Sequence, residues 1–254
     1  MHSPDSFFLH HTVPQLDRNG VQVWLIEFAR FGSAEEICKS GLIAEEQERA
    51  ARYRFARDRK QFAVTRSCLR WLLGVYLGVE PLSIEIRYAE HGKPYLSEPY
   101  RDLHFNVSHS DGLALLAFCR GKMLGIDVER VREDLEVDEI AKRFFSPAEQ
   151  AALVQLPAGQ RRQAFFRCWT RKEAFIKAIG EGLSLPLHQF DVSVDPEQPA
   201  TLLATRPVSS EAAQWSLRDL VVPRGYAAAL AVRAPHLVVN MNTLDTVSQR
   251  TAHP

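Results

Sequence analysis

At 254 residues, the chain is long enough for one large domain or two small lobes. Its 46% hydrophobic and 24% charged residues exclude extensive disorder and a membrane class, and 31 basic against 31 acidic residues argue against nucleic acid or an anionic membrane as a main partner. No signal-like leader and no apolar run of roughly 20 residues is found, so we expect a cytoplasmic protein.

The N-terminal half predicts one strand, a helical region and then several short strands. After a leader, residues 1–20, the β-branched and aromatic run 21–28 predicts a strand. Helical periodicity covers 44–76, with a break expected near Arg57 or Asp58. Four short strands separated by glycine-containing turns are then predicted at 83–88, 103–107, 113–119 and 123–128.

The C-terminal half repeats this order of helices and strands. Helical periodicity covers 137–179, with a helix start at Ser146-Pro147 and a stop at Gly180. Strands are predicted at 190–194, 215–220 and 226–232. The pattern predicts an α+β protein of two similar lobes. We place these lobes at 21–121 and 122–234, followed by a tail, 235–254, whose weak periodicity predicts a loosely held segment.

Two carboxylates end the strand predicted at 123–128. Asp127 and Glu129 are two residues apart, so the alternation of a strand puts both side chains on one face. Hard oxygen ligands of this kind suit Mg²⁺, which completes its octahedron with water and phosphate oxygens. The alternative is a solvated strand end, in which Glu129 forms an ordinary surface pair with Arg130.

A second acidic group lies on the long predicted helix. Trp169, Glu173 and Lys177 share one helical face, so Glu173 could reach a metal while Lys177 reaches a phosphate. An ordinary Glu–Lys pair at i,i+4 explains the same spacing. Glu149 forms a predicted capping box with Ser146, which could be its whole role, although it could also support a metal site through water.

Several further donors could hold an anionic ligand. Residues 106–111 form a predicted loop between two strands, rich in hydroxyl, amide and imidazole groups. Lys93 lies in a rigid Gly-Lys-Pro turn. Basic residues also recur along the first helical region, where some are plain surface charges: Arg57, Arg59, Lys60, Arg66 and Arg70.

These motifs together resemble the Sfp-type 4′-phosphopantetheinyl transferase family over residues 21–232. The matching motifs, in chain order, are Gly92-Lys93-Pro94, Phe105-Asn106-Val107-Ser108-His109-Ser110, Gly125-Ile126-Asp127-Val128-Glu129, Arg143-Phe144-Phe145-Ser146 with Glu149, Trp169-Thr170 with Lys172-Glu173-Ala174-Phe175 and Lys177-Ala178, and Gly182-Leu183-Ser184-Leu185. A chance match to all of them in this order is negligible.

The resemblance implies a pseudo-twofold monomer that binds coenzyme A in the cleft between its lobes. It assigns Mg²⁺ to Asp127, Glu129 and Glu173, and a metal-bound water to Glu149. The implied coenzyme A ligands are Lys93, Ser108, His109, Lys172, Lys177 and Arg66.

The implied reaction moves phosphopantetheine from coenzyme A to a serine of an apo acyl or peptidyl carrier protein, as in holo-[acyl-carrier-protein] synthases. Glu173 is the expected general base, with Glu149 acting through water as the alternative, and Lys177 would stabilise the phosphoryl oxygens. Two other functions use the same residues. The first is a module that binds coenzyme A or a carrier without catalysis, and the second is a metal-dependent phosphohydrolase that activates water.

Overall fold

The computed structural model describes residues 12–182, 185–206 and 209–244. The described α-helices are α1 (Ala34–Gly41), α2 (Ala44–Ala51), α3 (Ala56–Leu77), α4 (Val137–Phe144), α5 (Pro147–Gln155) and α6 (Ala158–Ile179). The described strands are β1 (Gly20–Glu27), β2 (Arg87–Tyr88), β3 (Pro94–Tyr95), β4 (Leu103–Ser110), β5 (Leu113–Arg120), β6 (Leu124–Arg130), β7 (Phe190–Val192), β8 (Leu202–Thr205), β9 (Ser216–Asp219), β10 (Tyr226–Val232) and β11 (Val238–Leu244).

Each half of the chain packs one long helix against a sheet. The first sheet has the order β11-β1-β5-β4, and α3 covers one of its faces. The second has the order β6-β10-β9, and α6 covers it in the same way. Both helices have 22 residues and end at a glycine with positive φ, Gly78 and Gly180, whose amides close the last turn.

The strands alternate between two hydrophobic environments, which explains their nearly continuous apolar sequence. Trp24 and Ile26 of β1 pack toward α3, whereas Val23 and Leu25 face the second sheet. The strand β6 sends Ile126 and its apolar neighbours into this middle core. The layers therefore run helix, sheet, sheet, helix, and the face of β6 opposite the middle core lies under α6.

The α+β prediction is confirmed, and several element bounds differ from those predicted. The helical break lies at residues 52–55, before Arg57 and Asp58, where α2 ends and α3 begins. The region 137–179 divides into three helices, and only Arg87–Tyr88 of the predicted strand 83–88 is a strand. The helix α1 and the strands β3 and β8 were not predicted. The strand β10 has the predicted bounds, 226–232.

The prediction of a loosely held tail is wrong for Val238–Leu244. This segment forms β11, which pairs in parallel with β1 in the first sheet. The chain therefore returns from the second sheet to the first, and its weak periodicity reflects an edge strand with exposed residues on both faces. The pseudo-twofold relation and the lobe limits stay predictions. No helix in the described ranges is long and apolar enough to cross a membrane.

Candidate functional site

The acidic pair of β6 lies directly beneath α6. Because Ile126 and Val128 fill the core between the sheets, the alternation of the strand turns Asp127 and Glu129 toward the helix. Glu173 and Lys177 lie one turn apart on α6. Asp127 and Glu173 are 46 residues apart in the sequence. The structure brings the motifs that contain them close enough for the charge of Asp127 to act on Glu173.

Gly125 allows this close approach of strand and helix. A β-carbon at this position would overlap the Ala174 carbonyl oxygen and the Ala178 amide nitrogen, and would come within 2.8 Å of the carbonyl carbon of Lys177. Only glycine lets the two backbones touch here. The glycine of the Gly-Ile-Asp-Val-Glu motif therefore sets the height of Glu173 and Lys177 above the carboxylates.

A three-way polar contact forms at Asp127. Its Oδ1 accepts hydrogen bonds from Lys177 Nζ at 2.6 Å and from Ser108 Oγ at 2.8 Å. Lys177 also donates to Ser108 Oγ at 3.0 Å. The other oxygen of Asp127, Oδ2, is buried and has no hydrogen-bond partner among the described residues. A buried carboxylate oxygen without a donor is costly unless a ligand satisfies it.

Glu129 and Glu173 share the electrostatic field of Asp127. Burial, and then the charge of Asp127, raise the pKa of Glu129, which Ser110 Oγ partly offsets by donating to Oε2 at 2.8 Å. Burial, and then Asp127, likewise raise the pKa of Glu173, while Lys177 lowers it. Three acids that disfavour each other's charge form an environment that stabilises a bound cation.

The polar motif at residues 106–111 is a strand up to Ser110, and the prediction of a loop is wrong there. Asn106, Ser108 and Ser110 alternate along β4 and point at β6. The turn itself is confined to Asp111 and Gly112, and Asp111 has a positive φ of 51°. Hydroxyl groups predicted as anion donors are therefore engaged at least partly with the neighbouring strand and its carboxylates.

His109 and Lys93 are two further predicted coenzyme A ligands, and Lys93 lines both cavities described below. Loss of solvation, and then the charge of Lys177, lower the pKa of His109. Lys93 Nζ donates to the Ala178 carbonyl at 2.6 Å and to the Leu124 carbonyl at 3.1 Å, so it bridges the β2–β3 turn to α6 and β6. Burial lowers the pKa of Lys93 to about 8.

Two cavities meet at Lys93 and Pro94. The smaller, of about 270 Å³, is bordered by Asn106, Glu173 and Lys177 and by the turn at 91–94. The larger, of about 780 Å³, lies on the other side of the turn, with a mainly apolar lining that includes Leu103, Phe105 and Leu124 and the cations Arg87 and Arg101. Lys93 therefore borders both cavities, and each cavity has at least one further cation in its lining.

Glu149 and Lys172 belong to the interior, and we withdraw both from the site. Lys172 Nζ donates to Glu149 Oε1 at 2.6 Å and to the Phe190 carbonyl at 2.8 Å, with no exposed side-chain surface. The two Glu149 oxygens also accept from the amides of Val192 and Ser146. The capping box is confirmed. With side-chain exposures of 2% for Glu149 and 0% for Lys172, neither group reaches a metal-bound water or coenzyme A in the cleft.

Arg66 is held between α2 and the β2–β3 hairpin. It donates to the Tyr88 hydroxyl and lies 3.5 Å from Glu46 Oε1, while its Nη1 is buried without a partner in the described residues. Its neighbour Arg70 is buried and makes a two-bond pair with the same Glu46. Neither arginine lines the two cavities described above. Leu183 and Ser184, the middle of the last matching motif, lie outside the described residues.

The carboxylates of the cleft fit a hard divalent cation, although the described residues show no three His, Cys, Asp or Glu side chains already gathered as a metal-binding group. The ammonium of Lys177 takes the position beside Asp127 Oδ1. Two observations support the fit: Asp127 Oδ2 lacks a donor, and Asp127 raises the pKa of both glutamates. Mg²⁺ needs only a few protein carboxylates, with water and phosphate oxygens as its other ligands.

Two family models together match most of the chain. The model described as the 4′-phosphopantetheinyl transferase superfamily matches residues 123–231, and the model described as 4′-phosphopantetheinyl transferase, N-terminal, matches residues 34–120. The first match contains β6 and α6, which carry the carboxylates, and the second contains the turn of Lys93 and the strand β4.

Named relatives match over most of their own length. The chain is 38% identical to the 4′-phosphopantetheinyl transferase HetI of Nostoc sp., over 84% of this chain and 87% of that protein. It is 35% identical to a 4′-phosphopantetheinyl transferase of Bacillus subtilis, over 62% of this chain and 69% of that protein. Identities of 38% and 35% over more than two thirds of each relative's length establish common family membership.

Proposed function

The chain belongs to the 4′-phosphopantetheinyl transferase superfamily, and we propose that it transfers phosphopantetheine from coenzyme A to a carrier-protein serine in the cleft between β4, β6 and α6. The observation that supports this site is that three carboxylates lie close together beside one ammonium group: Asp127, Glu129 and Glu173, with Lys177. We further propose that the acceptor is an apo acyl or peptidyl carrier protein, as for a holo-[acyl-carrier-protein] synthase.

The bond changes in this reaction are simple. The serine oxygen forms a bond to the pantetheine-side phosphorus, the bond from that phosphorus to the bridging oxygen breaks, and adenosine 3′,5′-bisphosphate leaves with the electron pair. The serine proton must go to a base. Glu173 is the base that we propose, because it lines the same cavity as Lys177, where the acceptor serine would meet the phosphoryl group.

We propose that Asp127, Glu129 and Glu173 hold Mg²⁺. When bound, the ion neutralises the charge of the pyrophosphate and of the departing bisphosphate. Asp127 contributes its unpaired Oδ2 to this set. Lys177 lies beside Asp127 and can turn its remaining donor capacity toward a phosphoryl oxygen.

The remaining cleft residues are proposed to bind coenzyme A. Ser108, His109 and Lys93 are proposed to hold the 3′-phosphate, and Lys177 the pyrophosphate. Lys93 and Lys177 line the same cavity, and Lys177 donates to Ser108, which supports this assignment. Lys93 uses two donors on carbonyl oxygens and keeps a third N–H for a ligand. Arg66 lies behind the hairpin of this turn and is proposed to support its position through Tyr88.

Intact-mass spectrometry of an apo acyl carrier protein tests the transfer. The carrier is incubated with the protein, coenzyme A and Mg²⁺, and we expect it to gain one phosphopantetheine. EDTA and the Glu173→Gln substitution should both abolish the gain. Glu35→Gln, on the exposed first turn of α1, is the matched control and should leave the gain unchanged.

Two other outcomes would contradict the proposal. Coenzyme A binding without any gain on acyl and peptidyl carriers would indicate a non-catalytic binding module. Release of adenosine 3′,5′-bisphosphate without a carrier, at the rate seen with one, would indicate a metal-dependent phosphohydrolase.

A further inference from the structure

The two sheets meet along a seam made by side chains. The strands β4 and β6 are the facing edges of their sheets, and in the described residues no backbone ladder joins them. Three side chains of β4 take the place of a ladder by accepting from alternate amides of β6. The contacts are Ile126 N to Asn106 Oδ1 at 2.9 Å, Val128 N to Ser108 Oγ at 3.3 Å and Arg130 N to Ser110 Oγ at 3.0 Å.

The two serines of this seam make the same pair of contacts, displaced by two residues. Ser108 accepts from Val128 N and donates to Asp127, the residue just before that amide. Ser110 accepts from Arg130 N and donates to Glu129 at 2.8 Å. A hydroxyl has one proton, so acceptance from the strand amide directs that proton at the carboxylate. The repeat matches each serine to one acid.

Glu129 needs such a partner more than Asp127 does. Asp127 is held by Lys177 as well as by Ser108 and is only 4% exposed. Glu129 has a longer side chain and is partly exposed at the end of β6, and the adjacent Arg130 stacks on the Tyr226 ring at 5.0 Å. The Ser110 hydroxyl fixes Oε2 of Glu129 and leaves Oε1 for another ligand.

We propose that Ser110 is a positioning residue, which holds Glu129 in the orientation that binds the divalent cation. This inference rests on the proposed function, in which Glu129 is a metal ligand. Ser110 does not itself touch the cation or the substrate in this proposal. It acts through the carboxylate, as outer-shell partners of metal ligands commonly do, and their loss commonly weakens metal affinity or activity by about 10–100-fold.

The test measures Mn²⁺ binding to the full chain by electron paramagnetic resonance, without coenzyme A, for three variants. Ser110→Ala should weaken Mn²⁺ binding by about tenfold or more, whereas Ser110→Thr keeps the hydroxyl and should stay close to wild type. Tyr226→Phe is the matched control, because it removes a nearby bond between the two sheets, from Gly112 N in the turn after β4 to the Tyr226 hydroxyl of β10 at 3.1 Å, without contact to a carboxylate. It should leave Mn²⁺ affinity unchanged.

Transfer kinetics and thermal unfolding complete the test. For Ser110→Ala we expect a higher Mg²⁺ concentration for half-maximal rate and an unchanged KM for coenzyme A. For Ser110→Thr we expect the Mg²⁺ concentration for half-maximal rate to be that of wild type. If Ser110→Ala binds Mn²⁺ as wild type does and only melts earlier, like Tyr226→Phe, the serine is a structural seam residue and the inference is overturned. Wild-type protein that binds no Mn²⁺ would also overturn it. Wild-type protein that binds Mn²⁺ but transfers nothing would instead contradict the proposed function.

Discussion

The Lys177 ammonium lies 2.6 Å from Oδ1 of Asp127, across the space between α6 and β6. The pair joins the sheet edge to the helix, and Asp127 is 4% exposed against 30% for the lysine. The aspartate therefore depends on its partners for charge compensation, while the lysine keeps contact with the open cleft. The lysine is therefore the member of the pair that a ligand in the cleft can contact.

Replacement of Lys177 by methionine should destabilise the metal-free protein. The change leaves a buried carboxylate with one donor fewer, at a cost of about 1–3 kcal/mol in the free energy of unfolding. Urea unfolding with and without Mg²⁺ measures it, and Mg²⁺ should restore part of the loss. Lys142→Met, which breaks an exposed pair with Glu139, is the control and should change stability by less than about 0.5 kcal/mol. Equal losses in both variants would refute the prediction.

Gly125→Ala should separate α6 from β6. The added β-carbon meets helix backbone, which cannot rotate away, so we expect a loss of about 3 kcal/mol, the upper end of the usual cost of overpacking, and a fall in transfer rate of the folded protein. Gly159→Ala is the matched control, because a β-carbon there has open space in the first turn of α6; it should stabilise by up to about 1 kcal/mol. Thermal and urea unfolding of both variants check this, and a tolerated Gly125→Ala would contradict the contact.

Loss of Lys172 should affect stability and leave the chemistry intact. Lys172→Met leaves the fully buried Glu149 carboxylate unpaired, at a cost of about 3–5 kcal/mol. The double variant with Glu149→Gln should be less destabilised than the sum of the two single changes. Transfer assays below the unfolding transition should give a wild-type KM for coenzyme A. A raised KM for coenzyme A at unchanged stability would indicate that Lys172 binds coenzyme A.

The stabilisation by Mg²⁺ should increase with pH. The pKa values of Glu129 and Glu173 are raised in the folded protein, so the folded state holds more protons than the unfolded chain, whose glutamates titrate near about 4.3. In the absence of metal, their contribution is present below that value and is lost as pH rises through the folded pKa values. Metal binding needs the deprotonated carboxylates, so the Mg²⁺ effect has the opposite dependence.

Melting temperatures measured with and without Mg²⁺ across this pH range check the prediction. The difference between the two curves should widen from acidic to neutral pH and should flatten in the Glu129→Gln, Glu173→Gln double variant. A difference independent of pH in wild type would show that the cation binds elsewhere.

Local patterns were enough to predict much of the fold. The strand β10 was predicted with its observed bounds, and the alternation of β6 correctly put Asp127 and Glu129 on one face. The capping box at Ser146 and Glu149 was also read correctly. Each of these features depends on residues within a few positions of each other, where periodicity and side-chain chemistry act directly. The helix α1 was missed although its signals are local: Ser33 caps its first turn, and Ala34, Ile37 and Gly41 form its buried face.

Pairings over long sequence distances could not be read in this way. Glu149 looked like a candidate for the site, but its carboxylate is neutralised by Lys172, 23 residues further along the chain. Lys93 is a cation in a rigid turn by sequence, and the structure shows that it also bonds to the Ala178 carbonyl, 85 residues away. The sequence shows that such groups are present and charged, but it does not show which residues they contact in the folded protein.

The sequence by itself determined the α+β class through local periodicity, and the set of groups that can bind a cation and phosphates through the chemistry of short motifs. The resemblance of these motifs to a known family indicated the family. The tertiary structure decided which of those groups face the cleft. Gly125 lets α6 rest on β6, the seam residues of β4 align the acids, and the packed core takes Glu149 and Lys172 out of the site. The physical reason is that burial and hydrogen bonding depend on distances in space, which the spacing of residues along the chain does not specify.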